Sequence, residues 1–126
     1  MDYITLTELT DYIGRDAIPA ADAMRYIHSA SRHIYALTFG RISKIGFDNL
    51  SDFQKDVIKE STALLAKFEY ENEDLLNSAL TSYSINGVSM SFGEGLNVQV
   101  HNGVVVNADI FNLLSQTGLT TLNLYI

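Results

Sequence analysis

The chain has 126 residues, of which 47% are apolar and 18% are charged, and its formal net charge is −7. This length suits one domain with a modest core, and the acidic balance argues against tight binding to a nucleic-acid backbone, which needs Lys and Arg. The absence of cysteine excludes disulfides, thiolate catalysis and cysteine-based zinc sites. The start, MDYITLTELT, lacks the basic and apolar regions of a secretory signal, and no apolar run approaches the ~20 residues of a membrane span. We therefore expect no membrane contact, and assembly in a cytoplasm.

Two helices are predicted in the first third of the chain. Thr5 and Glu8 form a capping box, T-L-T-E, which predicts a short helix that lasts to about Ile13. Pro19 suits the first turn of the next helix. Apolar residues at helical spacing then predict a long amphipathic helix over residues 20 to about 41.

A loop and a second long helix are predicted next. Residues 42–49 contain a glycine and are interpreted as a loop. Ser51 and Gln54 form a second capping box, and the apolar stripe behind it predicts a helix to about Glu69. A further turn or two over residues 74–80 is expected after a kink.

The helical period then gives way to alternation. The stretch TSYSINGVSMSF alternates apolar and small polar residues around Asn86-Gly87, which is the strongest short-range signal for a β-hairpin. A second Asn-Gly, at residues 102–103, predicts another hairpin between LNVQVH and VVVNA. After it, Asn107 caps a predicted helix, ADIFNLLSQT, that stops at Gly118, and the last residues alternate again.

The predicted fold is therefore mainly α with β. It is a small helical bundle, made of a short helix and two long amphipathic helices, followed by β-hairpins, a C-terminal helix and an extended tail. We expect one domain over residues 1–126, with the bundle in residues 1–80, the hairpins in residues 81–108 and the last helix and tail in residues 109–126.

Charge is distributed unevenly along the chain. Residues 1–50 hold five basic and six acidic groups, and residues 51–80 hold three basic and seven acidic groups. In residues 81–126 the charged residues are only Glu94 and Asp109. Because free edge strands are normally guarded by charges or proline, we expect other copies or another protein to cover these strands. The alternative is a compact fold in which the hairpins cover one another within the chain.

The expected interface side chains are the apolar positions of the first hairpin. They are Tyr83, Ile85, Val88, Met90 and Phe92.

The sequence shows no catalytic or metal-binding constellation. His28 and His33 are five residues apart, whereas zinc-binding pairs on a helix are three or four apart. His28 is therefore expected to be a packed or boundary residue, and His33 a surface residue. His101 is expected at a strand edge. The acidic run over residues 69–74 is interpreted as a solvated helix end rather than a pair of catalytic carboxylates. Arginines at positions 25 and 32 share a helix face and are expected to pair with acidic groups on a neighbour.

Four segments carry a resemblance to a known family. They are TLTELTDYIG, FQKDVIKESTALLAKFEYEN, the hairpin S-Y-S-I-N-G-V-S-M-S-F and LLSQTGL, and together they span about residues 4–119. In this order they resemble the small head–tail connector proteins of tailed bacteriophages, also called head completion or adaptor proteins. The second predicted hairpin, residues 96–108, departs from the usual family pattern.

The resemblance implies a structural role rather than an enzyme, with no cofactor and no metal. Such proteins form a ring, usually dodecameric, beneath the portal in the neck of the virion. The ring extends the DNA channel, lets DNA pass without sequence-specific binding, and offers a platform for a stopper or tail protein. The resemblance also implies that the C-terminal segment docks onto the portal.

Two sets of residues are assigned to these roles. The portal-docking residues are Leu122, Leu124, Tyr125 and Ile126. The acidic residues expected to face the channel, where negative charge keeps DNA from sticking, are Glu69, Glu71 and Glu73. Two other interpretations stay open: an intracellular homo-oligomeric interaction module without a phage role, and an enzyme or small-ligand binder whose pocket forms between subunits.

Overall fold

The computed structural model describes residues 2–15, 17–73, 98–101 and 103–120. Over these ranges the chain is mainly α-helical, which confirms the coarse fold class expected from the sequence. The helices are α1 (Leu6–Ile13), α2 (Ala20–Leu37), α3 (Arg41–Ile45), α4 (Asp52–Glu71) and α5 (Ala108–Ser115), with a 3-10 turn at Phe47–Asn49. The strands are β1 (Val98–His101) and β2 (Val104–Asn107). The first predicted hairpin, the turn expected over residues 74–80 and the tail over residues 121–126 lie outside the described residues.

The starts of α1 and α4 are fixed by the two capping boxes that the sequence predicts. The Glu8 amide donates to the Thr5 hydroxyl at 3.1 Å, and the Thr5 amide donates to the Glu8 carboxylate at 3.0 Å. Ser51 and Gln54 repeat this exchange at 3.1 and 3.0 Å. Each box satisfies two backbone donors that a helix start would otherwise leave without partners.

Loss of the Ser51 cap gives a first prediction. We expect Ser51→Ala to lower the free energy of unfolding by about 1 kcal/mol, because the first turn of α4 loses its acceptor. Ser51→Asp keeps an acceptor at the same place and serves as the control, with stability close to that of the wild type. Urea denaturation followed by helical circular dichroism measures both variants. An Ala variant that unfolds at the wild-type urea concentration would rule out this role of Ser51.

The second helix ends earlier than expected, and the loop predicted after it is helical. α2 stops at Leu37 rather than near residue 41, because Phe39 and Gly40 both adopt left-handed backbone angles, with φ of 57° and 71°. The chain then enters α3 and the 3-10 turn, so the interpretation of residues 42–49 as a loop is wrong. Helices this short carry too few turns to show a periodic pattern in the sequence.

The core lies mainly between α2 and α4. The two helices run antiparallel, since Arg25 lies against Glu73 and His33 against Glu69. α1 and α5 both pack on α4, and β2 contacts α2, α4 and α5. The largest fully buried aliphatic side chains are Ile27, Ile34, Leu37, Ile42, Ile58, Leu65, Val106, Leu114 and Leu119.

The strand β2 belongs to this core. It pairs antiparallel with β1, with Val98 opposite Asn107 and His101 opposite Val104. All three of its valines are buried, so the valines on both faces of β2 are shielded from solvent. A continuous apolar run is what a strand buried on both faces requires. For residues 103–120, burial of the side chains in the folded chain therefore explains much of the low charge without another protein.

The last helix follows the sequence prediction. The Asn107 side chain caps α5 by accepting from the Asp109 amide at 2.7 Å. After the helix, Gly118 adopts a positive φ of 77°, which glycine reaches without strain. The Asn107 cap therefore fixes the start of α5, and Gly118, three residues beyond its end, turns the chain toward residues 119–120.

Candidate functional site

Most of the sequence-predicted site residues lie outside the described residues. This holds for the predicted interface positions, Tyr83, Ile85, Val88, Met90 and Phe92, and for the predicted docking positions, Leu122, Leu124, Tyr125 and Ile126. Both sets stay predictions. The described part of the predicted site is the acidic end of α4, with Glu69 and Glu71, and Glu73 just after it.

Glu69 is buried and joins α4 to α2. It is 7% exposed, the Ser29 hydroxyl donates to Oε1 at 3.2 Å, and the His33 ring nitrogen Nδ1 donates to Oε2 at 2.5 Å. Glu69 follows Leu65 by four residues and shares its buried helix face. The expectation that Glu69 faces a channel as a solvated acid is therefore wrong, because polar partners from α2 hold its carboxylate inside the fold.

The arrangement of these three side chains is structural. In a nucleophile–base–acid relay the imidazole lies between the hydroxyl and the carboxylate, so that it can move a proton. Here the carboxylate lies between Ser29 and His33 and accepts from both. The cluster can link two helices, but it cannot activate the serine.

Glu73, like Glu69, accepts hydrogen bonds from side chains of α2, whereas Glu71 accepts none within the described ranges. Glu73 accepts from the Tyr26 hydroxyl at 2.7 Å and from the Arg25 guanidinium at 3.4 Å. The hydrogen bond from Tyr26, and then that from Arg25, hold the pKa of Glu73 below its usual range. Glu71 is exposed and has no hydrogen bond or ion pair within the described ranges. Of the three predicted channel residues, Glu71 is therefore the one whose carboxylate has no partner among the described residues.

The histidines take places other than those expected. His33 packs half-buried against α4, whereas His28 is exposed, with Nδ1 3.0 Å from a carboxylate oxygen of Asp2. The expectations for these two are thus reversed, because α4 covers the His33 side of α2. The His101 ring stacks on Phe111 with 3.8 Å between centroids, and burial lowers its pKa. Across the described ranges, no group of three His, Asp or Glu side chains could hold a metal ion.

An exposed apolar corner lies between α2 and α3. We call Phe39, Arg41 and Ile45 the α2–α3 corner; Phe39 and Ile45 are both exposed, and the Arg41 guanidinium lies 5.1 Å above the Phe39 ring. A bulky residue with positive φ costs roughly 1–3 kcal/mol and is retained only where the surrounding structure imposes it. An exposed aromatic ring held in this way is a candidate contact for a partner.

The C-terminal segment is tied to the same corner. The Arg41 guanidinium donates to the Leu119 carbonyl at 3.0 Å, and the Gln54 side-chain amide donates to the Thr117 carbonyl at 3.0 Å. These bonds fix the chain up to residue 120 beside the starts of α3 and α4. The last described residues before the predicted docking tail, 117–120, therefore lie next to the α2–α3 corner. Sequence reasoning missed this link because its two ends are 78 residues apart.

An ion pair between α1 and α4 gives a pH-dependent prediction. Lys59 Nζ lies 2.6 Å from a Glu8 oxygen, and the hydrogen bond from Lys59, followed by that from the Thr5 amide, lowers the pKa of Glu8. The stabilisation is therefore complete above the ordinary glutamate pKa and is lost as the pH falls through the lowered value. We expect Glu8→Gln to reduce stability at neutral pH by less than about 1 kcal/mol, and this deficit to shrink on acidification.

Urea denaturation at several pH values measures this deficit. Glu71→Gln is the matched control, since it removes an exposed glutamate without an ion pair within the described ranges, and its effect on stability is expected to be small at every pH. A Glu8→Gln deficit that grows as the pH falls would contradict the assigned direction of the Glu8 pKa.

Comparison of the chain with protein-family models, with curated proteins and with solved structures found no match. Within the described ranges, no helix is both long and apolar enough to cross a membrane.

Proposed function

We propose that the chain is a structural, non-catalytic subunit of the neck of a tailed bacteriophage. In this role it forms a ring with its own copies beneath the portal, extends the DNA channel and joins head to tail. The order of the elements supports the proposal: a short capped helix, two long packed helices and a short last helix follow one another as in the connector family that the sequence resembles.

The observation that carries the proposal is the uncharged stretch between Asp74 and Glu94. It contains no charged residue and alternates apolar and small polar side chains around Asn86-Gly87. Before it, Glu69 at the end of α4 and Glu73 just after the helix are bonded to α2, so the described chain is joined to the bundle as far as residue 73. Unguarded alternating segments pair readily with other chains, and a ring supplies such neighbours in every subunit.

The proposal also gives each partner a place. The portal above would receive the tail residues Leu122 and Ile126 by strand addition or insertion, beginning beside the α2–α3 corner. A stopper or tail protein would lie below the ring. The channel-facing role is now proposed for Glu71 with the half-exposed Glu73, and not for Glu69.

A binding experiment with the portal tests the proposal. The full chain is mixed with the portal ring of the genome that encodes it and imaged by electron microscopy, and we expect an additional ring layer coaxial with the portal. A chain lacking residues 121–126 should lose the layer while its urea midpoint stays close to that of the full chain. As a control, Glu60→Gln changes an α4 side chain far from the tail in sequence and should bind like the wild type.

The outcomes separate the competing functions. No binding of the full chain to the portal would refute the connector role. Self-association without portal binding would instead favour an intracellular homo-oligomeric interaction module. Unchanged portal binding by the shortened chain would refute the docking role of the tail and leave the ring itself in place.

A further inference from the structure

A polar cleft of about 270 Å³ lies between the N-terminal residues, α2 and α3. Its lining residues are Tyr3, His28, Ser31, Arg32, Tyr35 and Ser43. Six side chains that carry a hydroxyl, an imidazole or a guanidinium thus surround one small space. None of them is used in the proposed assembly role.

Arg32 supplies the fixed positive charge of the cleft. α2 places His28, Arg32 and Tyr35 at positions i, i+4 and i+7, which share one helix face. Arg32 is exposed and has no hydrogen bond or ion pair in the part of the chain that the structure describes, whereas Arg25 binds Glu73. The expected pairing of Arg32 with an acidic group is therefore absent within the described ranges, and its five donors are available to a ligand.

The buried side of the cleft offers neutral donors. Ser31 is 2% exposed, and its oxygen accepts from the Tyr3 amide at 3.1 Å. Its own hydroxyl proton has no acceptor within the described ranges, so it can donate to a molecule in the cleft. Burial first, and then the neighbouring Tyr35, raise the pKa of Tyr3, which keeps this phenol a neutral hydrogen-bond donor.

Asp2 orients the imidazole at the rim. His28 Nδ1 lies 3.0 Å from Asp2 Oδ1, which leaves the other ring nitrogen, Nε2, for a ligand. The Asp2 carboxylate is thereby engaged by His28, and Arg32 is the charged donor that faces the cleft. Guanidinium and hydroxyl donors around one space match the oxygens of a phosphate or a carboxylate.

We propose that this cleft binds a small oxyanion, a phosphate monoester or a carboxylate, with Arg32 as the charged donor and Ser31 and the tyrosine hydroxyls as neutral donors. The volume is near the lower limit of ordinary ligand pockets, about 300 Å³, and suits a small molecule. This proposal does not depend on the ring or the portal, and it stands or falls separately from them.

Calorimetric titration tests the proposal with inorganic phosphate and with succinate at constant ionic strength. We expect saturable binding of at least one probe, weakened about ten- to hundredfold by Arg32→Gln, since a charge-assisted bond is lost. Arg15→Gln removes the same charge outside the cleft and should bind like the wild type. Binding of phosphate alone identifies the ligand as a phosphate, and binding of succinate alone identifies it as a carboxylate.

Two titration results would overturn the proposal. One is the absence of saturable binding for both probes up to about 10 mM, a concentration above the dissociation constants of functional small-molecule sites. The other is equal weakening by Arg32→Gln and Arg15→Gln, which would show general charge attraction. In nuclear magnetic resonance spectra, the bound probe should shift amides of Tyr3 and residues 28–35, and shifts spread evenly over all helices would count against the cleft.

Discussion

Glu69→Ala is expected to lower the free energy of unfolding by about 2–3 kcal/mol. The substitution removes a buried carboxylate that accepts from Ser29 and His33, and bonds to a charged group contribute about 1.5–3 kcal/mol each. His33 is half-exposed, so water can replace part of what its ring loses, and the expected effect stays below the sum of two such bonds. Urea denaturation followed by helical circular dichroism measures the change.

Glu71→Ala is the matched control for this prediction. Glu71 lies two residues further along α4, but it is exposed and has no bond or ion pair within the described ranges. Its substitution should change stability by no more than about 0.5 kcal/mol. Equal effects of the two substitutions would show that Glu69 does not link α2 to α4. Charge reversal at Glu69 would break this link between α2 and α4, so Glu71 and Glu73 are the positions suited to testing a channel-facing acid.

Leu114→Ala is expected to lower the free energy of unfolding by about 2–5 kcal/mol. Leu114 is fully buried in α5, which packs on α4 and β2, and its truncation leaves a cavity in that part of the core. The prediction tests whether the sparsely charged residues 103–120 are held by their own chain. The same urea experiment measures the loss.

Asn112→Ala provides the comparison for Leu114→Ala. Asn112 is exposed on the same helix, and alanine has the higher helix propensity, so stability should stay within about 0.5 kcal/mol or rise slightly. If both variants unfolded at the same urea concentration, α5 would not be docked on the bundle. Residues 103–120 would then need cover from another protein.

The helix starts could be predicted from the sequence because their causes are local. Thr5 with Glu8, and Ser51 with Gln54, make their bonds within three residues, and the Asn107 cap reaches only to residue 109. The long apolar stripes of α2 and α4 are equally local. Mainly helical structure therefore followed from the sequence without knowledge of which helices meet.

The errors come from contacts between distant parts of the chain. Glu69 looked like one of a run of solvated acids, because its partners Ser29 and His33 are 40 and 36 residues away. The left-handed Phe39 could not be foreseen either, since a bulky residue rarely adopts that conformation without a packing constraint. The valines of β2 resembled unguarded strand residues until the structure placed them between helices.

The features of the candidate site also differ in whether they can be predicted from the sequence. The uncharged stretch and the apolar tail are visible in the sequence because they are defined by composition. The α2–α3 corner and the tie from Arg41 to Leu119 depend on tertiary packing and could be found only in the structure. Likewise, the sequence shows that Arg25 and Arg32 share a helix face. Only the structure shows that Arg25 pairs with Glu73 whereas Arg32 lines a cleft.

The central proposal is that other chains cover residues 75–93 in the assembly. Amide hydrogen exchange, measured on the chain alone and on the chain bound to the portal, tests it most directly. We predict that protection over residues 81–92 rises on assembly, while protection in the middle of α4 is unchanged. Slow exchange over residues 81–92 in a chain that stays monomeric at high concentration, with no further change on mixing with the portal, would contradict the proposed assembly.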